Sequence, residues 1–274
     1  MNQLTKHQDE KERRIITDWL TPIDYATQQS DFINRREEGT GRWLLDSSEF
    51  QEWLNQSKQT LFCPGIPGAG KTILTSIVVE HLCAKFQNNT SVSIAYLYCN
   101  FRRQHEQTPT DLLASLLKQL VQELPSMPEI IKNLYEHHKY KRTRPLFDEI
   151  SKALHSVVAN YSRAFIIIDA LDELSASDGV RRRFLLEILN LQAKTGASVF
   201  ATSRFIPEIT REFKGSILLE IRASDGDVQR YLHGRMSQLS LCVRRNVDLQ
   251  EKIKAEIIKA VNGMYVLSNA PRVD

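Results

Sequence analysis

The strongest constraint on this chain is a glycine-rich stretch, Gly65 to Thr72, that reads GIPGAGKT. It fits the phosphate-loop pattern of a glycine, four residues, and then glycine, lysine and threonine. The apolar run 59–63 before it is suited to a strand, and residues 73–82 after it have helical length and an apolar stripe. A strand, a glycine-rich turn and a helix in this order predict a phosphate site, because turn amides and a helix N-terminus both favour an anion.

Two side chains in this loop are predicted to have distinct roles. Lys71 is expected to reach the β- and γ-phosphates of a nucleotide, and the Thr72 hydroxyl to bind Mg²⁺. The predicted nucleotide-contacting residues are Gly65, Ile66, Pro67, Gly68, Ala69, Gly70, Lys71, Thr72 and Ile73. The alternative is a surface turn with a solvated lysine, which the flanking strand and helix disfavour.

A second acidic signature, DALDE, follows the apolar strand predicted at 163–168. Asp169 ends that strand, at the sheet edge where the phosphate loop also lies, so it is predicted to hold Mg²⁺ through water. Asp172 or Glu173 is predicted to orient or deprotonate an attacking water. Helix capping is the alternative role for such acids, but their position downstream of a phosphate loop favours the nucleotide role.

Arginines occur at three further places of interest. The predicted strand 197–201 runs into Thr202-Ser203-Arg204, a polar ending that packing explains poorly, so Arg204 is predicted to sense the γ-phosphate. Arg102 and Arg103 are interpreted as a solvated turn, with a phosphate contact as the alternative. The arginines at 181–183 are interpreted as a solvated face, with a trans-acting arginine across an oligomer interface as the alternative.

The residues before the phosphate loop leave two questions open. A Gly-Thr-Gly turn at 39–41, beside Trp43, is expected either to approach the base or ribose or to let Trp43 fill the core. Residues 1–20 predict an amphipathic helix, either a linker docked on the domain or an effector segment. Its apolar face is predicted to hold Ile15, Ile16, Trp19 and Leu20.

The order of the predicted elements defines a fold class. Strands alternate with helices, which predicts an α/β fold with a parallel sheet covered on both faces and right-handed crossovers. The predicted strands are 59–63, 93–99, 163–168, 197–201 and 216–221, and the predicted helices after the loop include 129–139, 145–160, 181–192, 225–239 and 248–261.

Composition excludes several classes of protein. A net charge of +3 is too small to argue for nucleic acid or an anionic membrane. No apolar run is long enough for a transmembrane helix, and the N-terminus lacks a signal-peptide core. The cysteines, Cys63, Cys83, Cys99 and Cys242, lack metal-ligand spacing and are interpreted as buried residues of a cytoplasmic protein.

Taken together, GIPGAGKT, FIIIDALDE and FATSR resemble the NACHT class of P-loop switch ATPases, the STAND group. The stretches WLTPIDYATQQSDF, GTGRWLL, VQRYL and AVNGMYVL narrow the resemblance to nephrocystin-like NACHT modules of fungal receptor-like proteins, including vegetative-incompatibility proteins. The resemblance covers residues 14 to 267.

This resemblance implies a three-layer α/β/α core with strand order 5-1-4-3-2. It implies binding of Mg²⁺ and ATP, or GTP, with Mg²⁺ at Thr72 and Asp169 and catalytic roles for Asp172, Glu173 and Arg204. It also implies a nucleotide latch that self-associates in the triphosphate state. The domains expected are an N-terminal helical linker region (1–58), the NTPase core (59–222) and the start of a C-terminal helical domain (223–274). Since family members continue into further helices and repeats, this last domain is expected to be truncated.

The leading hypothesis is therefore a regulatory module of an NLR-like signalling protein that hydrolyses nucleotide slowly, with ATP favoured over GTP. A housekeeping NTPase or kinase with real turnover is the first alternative. A scaffold with a vestigial nucleotide site is the second. No membrane contact and no direct nucleic-acid binding are expected.

Overall fold

The computed structural model describes residues 3–176, 178–236, 243 and 246–261. Five parallel strands form one sheet in the order β2-β3-β4-β1-β5. Read from the other edge, this is the predicted order 5-1-4-3-2, so the predicted fold class is confirmed. The strands are β1 (Thr60–Pro64), β2 (Val92–Tyr98), β3 (Arg163–Asp169), β4 (Ser198–Ser203) and β5 (Ile217–Leu218).

The helices alternate with these strands along the chain. The α-helices are α1 (Gln3–Leu20), α2 (Ala26–Asn34), α3 (Arg42–Asp46), α4 (Ser48–Asn55), α5 (Lys71–Phe86), α6 (Pro109–Glu123), α7 (Glu129–Lys141), α8 (Phe147–Val158), α9 (Val180–Thr195), α10 (Pro207–Glu212), α11 (Asp225–Met236) and α12 (Val247–Val261). Short 3₁₀ helices occupy Phe101–Glu106 and Leu171–Glu173. Within the described residues, no helix has the length and apolar composition needed to cross a bilayer.

The sheet separates two apolar clusters because side chains alternate between its faces. In β3, Phe165 and Ile167 join a cluster with Trp53 and α5, whereas Ile166 and Ile168 join one with α6, α8 and α9. Both faces are therefore covered, which explains why the central strands are apolar almost throughout. The carboxyl ends of β1, β3 and β4 meet at one edge, where the glycine-rich turn and the acidic signature follow their strands.

The N-terminal helix is docked on the domain, as one of the two sequence interpretations holds. Ile16 and Leu20 are buried in the cluster that contains α6. The ammonium of Lys118 in α6 donates to the Thr21 carbonyl at 2.9 Å. Ile15 does not share this buried face, because its side chain is 47% exposed. The predicted face thus included one residue too many.

Several boundaries and elements differ from the sequence prediction. Strand β5 is two residues long, and Ile221 forms an isolated bridge with Gly65 instead of continuing it. Helices α3 and α10 were not predicted, because they are too short to show helical periodicity. Cys83 is exposed, whereas Cys63 and Cys99 are buried as predicted. Cys242, residues 237–239 of a predicted helix and the AVNGMYVL stretch beyond Val261 lie outside the described residues.

Candidate nucleotide site

The glycine-rich loop connects the end of β1 to the first turn of α5. Gly68 and Gly70 have φ angles of 76° and 86°, and Gly70 immediately precedes the helix. Residues with a Cβ rarely adopt such angles, so glycine allows the chain to turn back over the helix N-terminus. The first amides of α5 lack carbonyl partners in their own helix. The loop can therefore offer amide donors and a positive helix end to an anion.

Lys71 begins this helix and turns its side chain back over the loop. Its ammonium donates to the carbonyls of Gly65 and Ile66, at 2.9 Å each. Burial lowers the pKa of Lys71, and the nearby carboxylates of Asp172 and Asp169 oppose this decrease. The lysine is thus a half-buried cation held at the mouth of the loop by neutral acceptors, which an anion can replace.

Asp169, at the end of β3, lies 2% exposed within a cluster of hydroxyl groups. Thr72 donates to its Oδ2 at 2.7 Å, and Thr202 donates to its Oδ1 at 2.6 Å. The Thr75 hydroxyl lies 2.9 Å from the same Oδ1. Burial raises the pKa of the Asp169 carboxyl, while the hydrogen bonds from the three threonines lower it. The nearby charge of Lys71 also lowers this pKa. The buried carboxylate is therefore solvated by hydroxyls and faces the cation of the loop.

The 3₁₀ turn after β3 positions the two other acidic residues. Asp172 accepts from the Arg204 backbone amide at 2.9 Å and from its Nε at 2.5 Å, which links the ends of β3 and β4. Glu173 accepts from the Phe101 amide at 3.0 Å, just beyond β2. Burial raises the pKa of Glu173, and the negative charge of Asp172 adds to this increase. The two carboxylates therefore have different partners and different environments.

These groups converge on a cavity of about 840 Å³, a volume typical of small-molecule sites. Of the residues predicted to contact ligand or carry out catalysis, nine line it: Pro67, Gly68, Gly70, Lys71, Thr72, Ile73, Asp172, Glu173 and Arg204. Asp169 instead lines a smaller adjacent cavity of about 300 Å³. The two cavities share five residues: Arg35, Thr72, Ile73, Ala170 and Glu173. Ala69 is buried in the core beneath the loop.

Residues before the phosphate loop and residues of α11 also line the cavity. Thr40 and Gly41 line it, whereas Trp43 packs against the core cluster of α5. Trp43 thus fills the core as one interpretation expected, and the approach of the turn to a base or ribose stays a prediction. Three residues of α11 and two arginines of the N-terminal region complete the wall: Asp227, Tyr231, Arg235, Arg35 and Arg36. A helix over 225–239 is predicted from the sequence, but no signal in the sequence places its start beside the phosphate loop.

Sequence comparison connects this geometry to a known family. The family model described as "Nephrocystin 3, N-terminal" matches residues 39–204, more than half of the chain. This range includes the Gly-Thr-Gly turn, the phosphate loop, the acidic signature and Arg204.

The chain belongs to this family.

The match confirms the resemblance to nephrocystin-like modules, and with the observed sheet it identifies a NACHT-like P-loop NTPase module. No curated protein matches the chain.

Solved structures similar to the nephrocystin-like module include a Walker-type ATPase of Pyrococcus abyssi, at 13% identity and a TM-score of 0.49 over 84% of this chain and 66% of that one. Cdc6p from Pyrobaculum aerophilum has 13% identity and a TM-score of 0.46 over 85% and 58%. A Drosophila ORC structure bound to DNA has 20% identity and a TM-score of 0.44 over 80% and 53%. The first structural relatives extend well beyond this chain, which covers between 53% and 65% of them. At this level of similarity, they establish nothing about what this chain binds.

Proposed function

We propose that this nephrocystin-like module binds a magnesium–nucleoside triphosphate and hydrolyses it slowly, as the regulatory switch of an NLR-like signalling protein. The observation that carries the proposal is the convergence of the phosphate loop, the acidic turn after β3 and Arg204 on one cavity. These three features come from the ends of three neighbouring strands, the position where open α/β sheets bind ligands.

The phosphate groups fit the loop because its donors lack strong competing acceptors. Lys71 is held by two neutral carbonyls, so exchanging them for phosphate oxygens replaces ordinary hydrogen bonds with charge-assisted ones. The positive end of α5 adds to the same attraction. We expect ATP to be preferred over GTP, as the family resemblance implies.

The residues at the end of β3 fit Mg²⁺. The Thr72 hydroxyl and the Asp169 carboxylate are oxygen donors 2.7 Å apart, and oxygen ligands are those that Mg²⁺ takes in proteins. When bound, the ion neutralises charge on the phosphates. Thr75 and Thr202 hold the Asp169 carboxylate in place for this role from the opposite side.

The surroundings of Asp172 and Glu173 support a different role for each in this proposal. Asp172 forms an ion pair with Arg204, so in our proposal it orients the arginine that senses the γ-phosphate. Glu173 instead accepts from the Phe101 amide. Burial raises its pKa, which makes its carboxylate a stronger proton acceptor than that of an ordinary glutamate. We therefore assign the proton transfer to Glu173 and the positioning of Arg204 to Asp172.

The switch role rests on this Asp172–Arg204 pair. Arg204 is 52% exposed, and a negative phosphate in the cavity would compete with Asp172 for its guanidinium. Release of that phosphate would return the arginine to Asp172, which gives two arrangements of one side chain. In our proposal the triphosphate arrangement favours self-association of the module in the cytoplasm, with a linker at 1–58, the core at 59–222 and further helices after it.

The deciding experiment measures the nucleotide content and turnover of the purified chain. Bound nucleotide would be extracted with acid and identified, and hydrolysis of Mg-ATP and Mg-GTP would then be followed. We expect co-purified diphosphate and a turnover below about one per minute, since switch NTPases act far below the 1–100 per second of kinases. Rapid turnover with an empty site would indicate a metabolic enzyme. Failure of the folded chain to bind nucleotide would refute the proposal.

A further inference from the structure

One buried carboxylate of helix α11 bonds to the Gly41 turn beside the cavity. Asp227 is 3% exposed, and its Oδ2 accepts a hydrogen bond from the Gly41 amide at 2.8 Å. Its Oδ1 accepts from Arg230, one turn along the same helix, at 3.2 Å. The bond to Gly41 joins residues 186 positions apart in the chain. A buried charge requires such partners, so this contact constrains where α11 lies.

The position of Asp227 in the first turn of α11 would also suit a role in capping that helix, but its carboxylate does not have this role. Ser224 caps the helix, and its hydroxyl accepts from the Asp227 amide at 3.1 Å. An acidic residue three positions after a serine cap commonly reaches back to the amide of that serine. Here the carboxylate is directed instead to the Gly41 amide of a distant turn. The geometry thus favours a tertiary role over local helix capping.

The other side of Gly41 is in contact with the phosphate-loop helix. A Cβ on Gly41 would lie 2.5 Å from Ile77 Cδ1 and 2.8 Å from Leu74 Cδ2, both in α5. The φ angle of Gly41 is 78°, which further excludes larger residues. The Gly41 turn is therefore held between α5 and Asp227. Leu74 lies only one helical turn beyond Lys71, so this contact adjoins the phosphate site.

Asp227 also determines which residues of α11 reach the cavity. Tyr231 and Arg235 follow it at intervals of four, so all three lie on the same helical face. All three line the main cavity. The Arg235 guanidinium lies 5.3 Å from the centre of the Tyr231 ring. A helix held at Asp227 thus presents an aromatic ring and a cation to the space beside the Gly41 turn.

We infer that Asp227 is a positioning residue that holds α11 on the Gly41 turn, closes the cavity beside it and slows release of bound nucleotide. This inference rests on the proposed nucleotide binding and adds a residue outside the phosphate loop on which affinity depends. Asp227 itself need not touch the ligand, because the contact is made by the wall that it positions.

The test compares three variants with the wild-type chain. Asp227→Ala removes both acceptor oxygens, and Asp227→Asn keeps one acceptor for the Gly41 amide but loses the charge. Asp225→Asn is the matched control, because Asp225 is an exposed residue in the same first turn of α11. Its substitution removes the same charge from the helix. Each protein is measured for the dissociation constant and release rate of fluorescent Mg-ATP. Hydrogen exchange of residues 37–45 and 225–236 is measured without nucleotide.

We expect Asp227→Ala to weaken binding about tenfold, within the usual range of coupling between sites, and to speed release similarly. Exchange should rise in the turn and in α11 but not in α5. Asp227→Asn should fall between the alanine variant and wild type, and Asp225→Asn should behave as wild type. If the alanine variant does not fold, the asparagine variant with the same measurements decides.

Three outcomes would overturn the inference. Increased exchange with unchanged affinity and release would give Asp227 a merely structural role. Unchanged exchange would mean that the Gly41 contact does not hold α11. If Asp225→Asn weakened nucleotide binding equally, the effect would come from the overall charge of α11 and not from the contact with Gly41. Failure of the proposed function is seen separately, because the wild-type chain would then bind no nucleotide while the exchange data still reported on the contact.

Discussion

At the phosphate end of the site, where Asp169 lines the smaller of two adjacent cavities, three threonine hydroxyls surround its carboxylate. Beside the Gly41 turn, by contrast, the Asp227 carboxylate bridges one distant amide and one exposed arginine. The first arrangement is built from two strands of the central sheet, β3 and β4, and from α5, which packs on that sheet. The second joins α11 to a turn before the sheet begins.

The two arrangements suit two different tasks, binding of a metal ion at the phosphate end and closure of the cavity by α11 beside the Gly41 turn. A group proposed to bind Mg²⁺ must stay fixed, and the partners of Asp169 belong to elements that cannot move without disturbing the core. A wall that admits or releases ligand must be able to move without disturbing the core. On this interpretation, changes at the phosphate end alter hydrolysis or folding, and changes beside the Gly41 turn alter affinity and release rate.

The largest expected effect is on hydrolysis at Glu173. Glu173→Gln should lower the rate of ATP hydrolysis about 10²- to 10⁴-fold, the usual contribution of a general base, while the dissociation constant stays the same. Asp172→Asn should also slow hydrolysis, through a misplaced Arg204. Steady-state phosphate release measures the rate, and the exposed Glu212→Gln serves as control. Wild-type rates in both site variants would contradict the water-activating assignment.

The same residue gives a pH dependence. Because burial raises the pKa of Glu173, its carboxylate becomes protonated at a higher pH than an ordinary glutamate. Hydrolysis should therefore fall as the pH is lowered through that raised pKa, and it should recover as the pH rises again. The acid limb should vanish in the residual activity of Glu173→Gln. An identical limb in that variant would assign it to another group.

Lys71→Ala should weaken triphosphate binding about 100-fold, because it removes charge-assisted hydrogen bonds at a half-buried site. Lys85→Ala, in the last turn of the same helix, removes the same charge at an exposed position and should bind as wild type. Isothermal titration with Mg-ATP measures both. Comparable losses in the two variants would mean that the helix's overall charge, and not the loop lysine, attracts the ligand.

Thr202→Val tests the support of Asp169. The Thr202 hydroxyl donates to Asp169 and accepts from the Ala170 amide at 2.9 Å. Its loss leaves a buried amide and a buried carboxylate each short of a partner, so the free energy of unfolding should fall by about 2–3 kcal/mol. Urea denaturation measures it. Thr210→Val is the control, because the Thr210 hydroxyl donates only locally, to the carbonyl of Ile206 at the start of α10. An equal loss of stability in that variant would refute the special role of Thr202.

The smallest expected effect is that of Arg230→Gln. Arg230 pairs with Asp227, but its side chain is 58% exposed, so water can replace the guanidinium at a cost below about 1 kcal/mol. Nucleotide affinity should fall less than about fivefold, well short of the effect of Asp227→Ala. A loss as large as that of the alanine variant would place the holding contact at Arg230 instead of Gly41.

Much of the phosphate end could be predicted from the sequence, because each of its signatures is a contiguous stretch of residues. GIPGAGKT fixes a turn, a lysine and a hydroxyl within eight residues, and an acidic signature after an apolar strand must fall at the same sheet edge in a parallel fold. The strand order required the family resemblance, since alternation of strands and helices does not specify which strands are neighbours. The short β5 and helices α3 and α10 escaped prediction because a few residues show no reliable periodicity.

The distinct partners of Asp172 and Glu173 could not be predicted from the sequence, which gave both residues the same candidate role. Arg204 lies 32 residues from Asp172, and Phe101 lies 72 residues from Glu173. Two adjacent carboxylates acquire different environments only when the ends of β2, β3 and β4 are brought together. Thr75 and Thr202 likewise become partners of Asp169 only through packing.

The sequence by itself determined the fold class, the phosphate loop and the acidic residues, because local spacing and strand periodicity specify these directly. Only the tertiary structure decided that Gly41 lies against α5 and that Asp227 holds α11 there. Such a contact depends on the close approach of the Gly41 backbone to side chains of α5 and on the burial of one charge. Neither leaves a periodic pattern along the chain, so the far wall of the cavity appears only when the chain is folded.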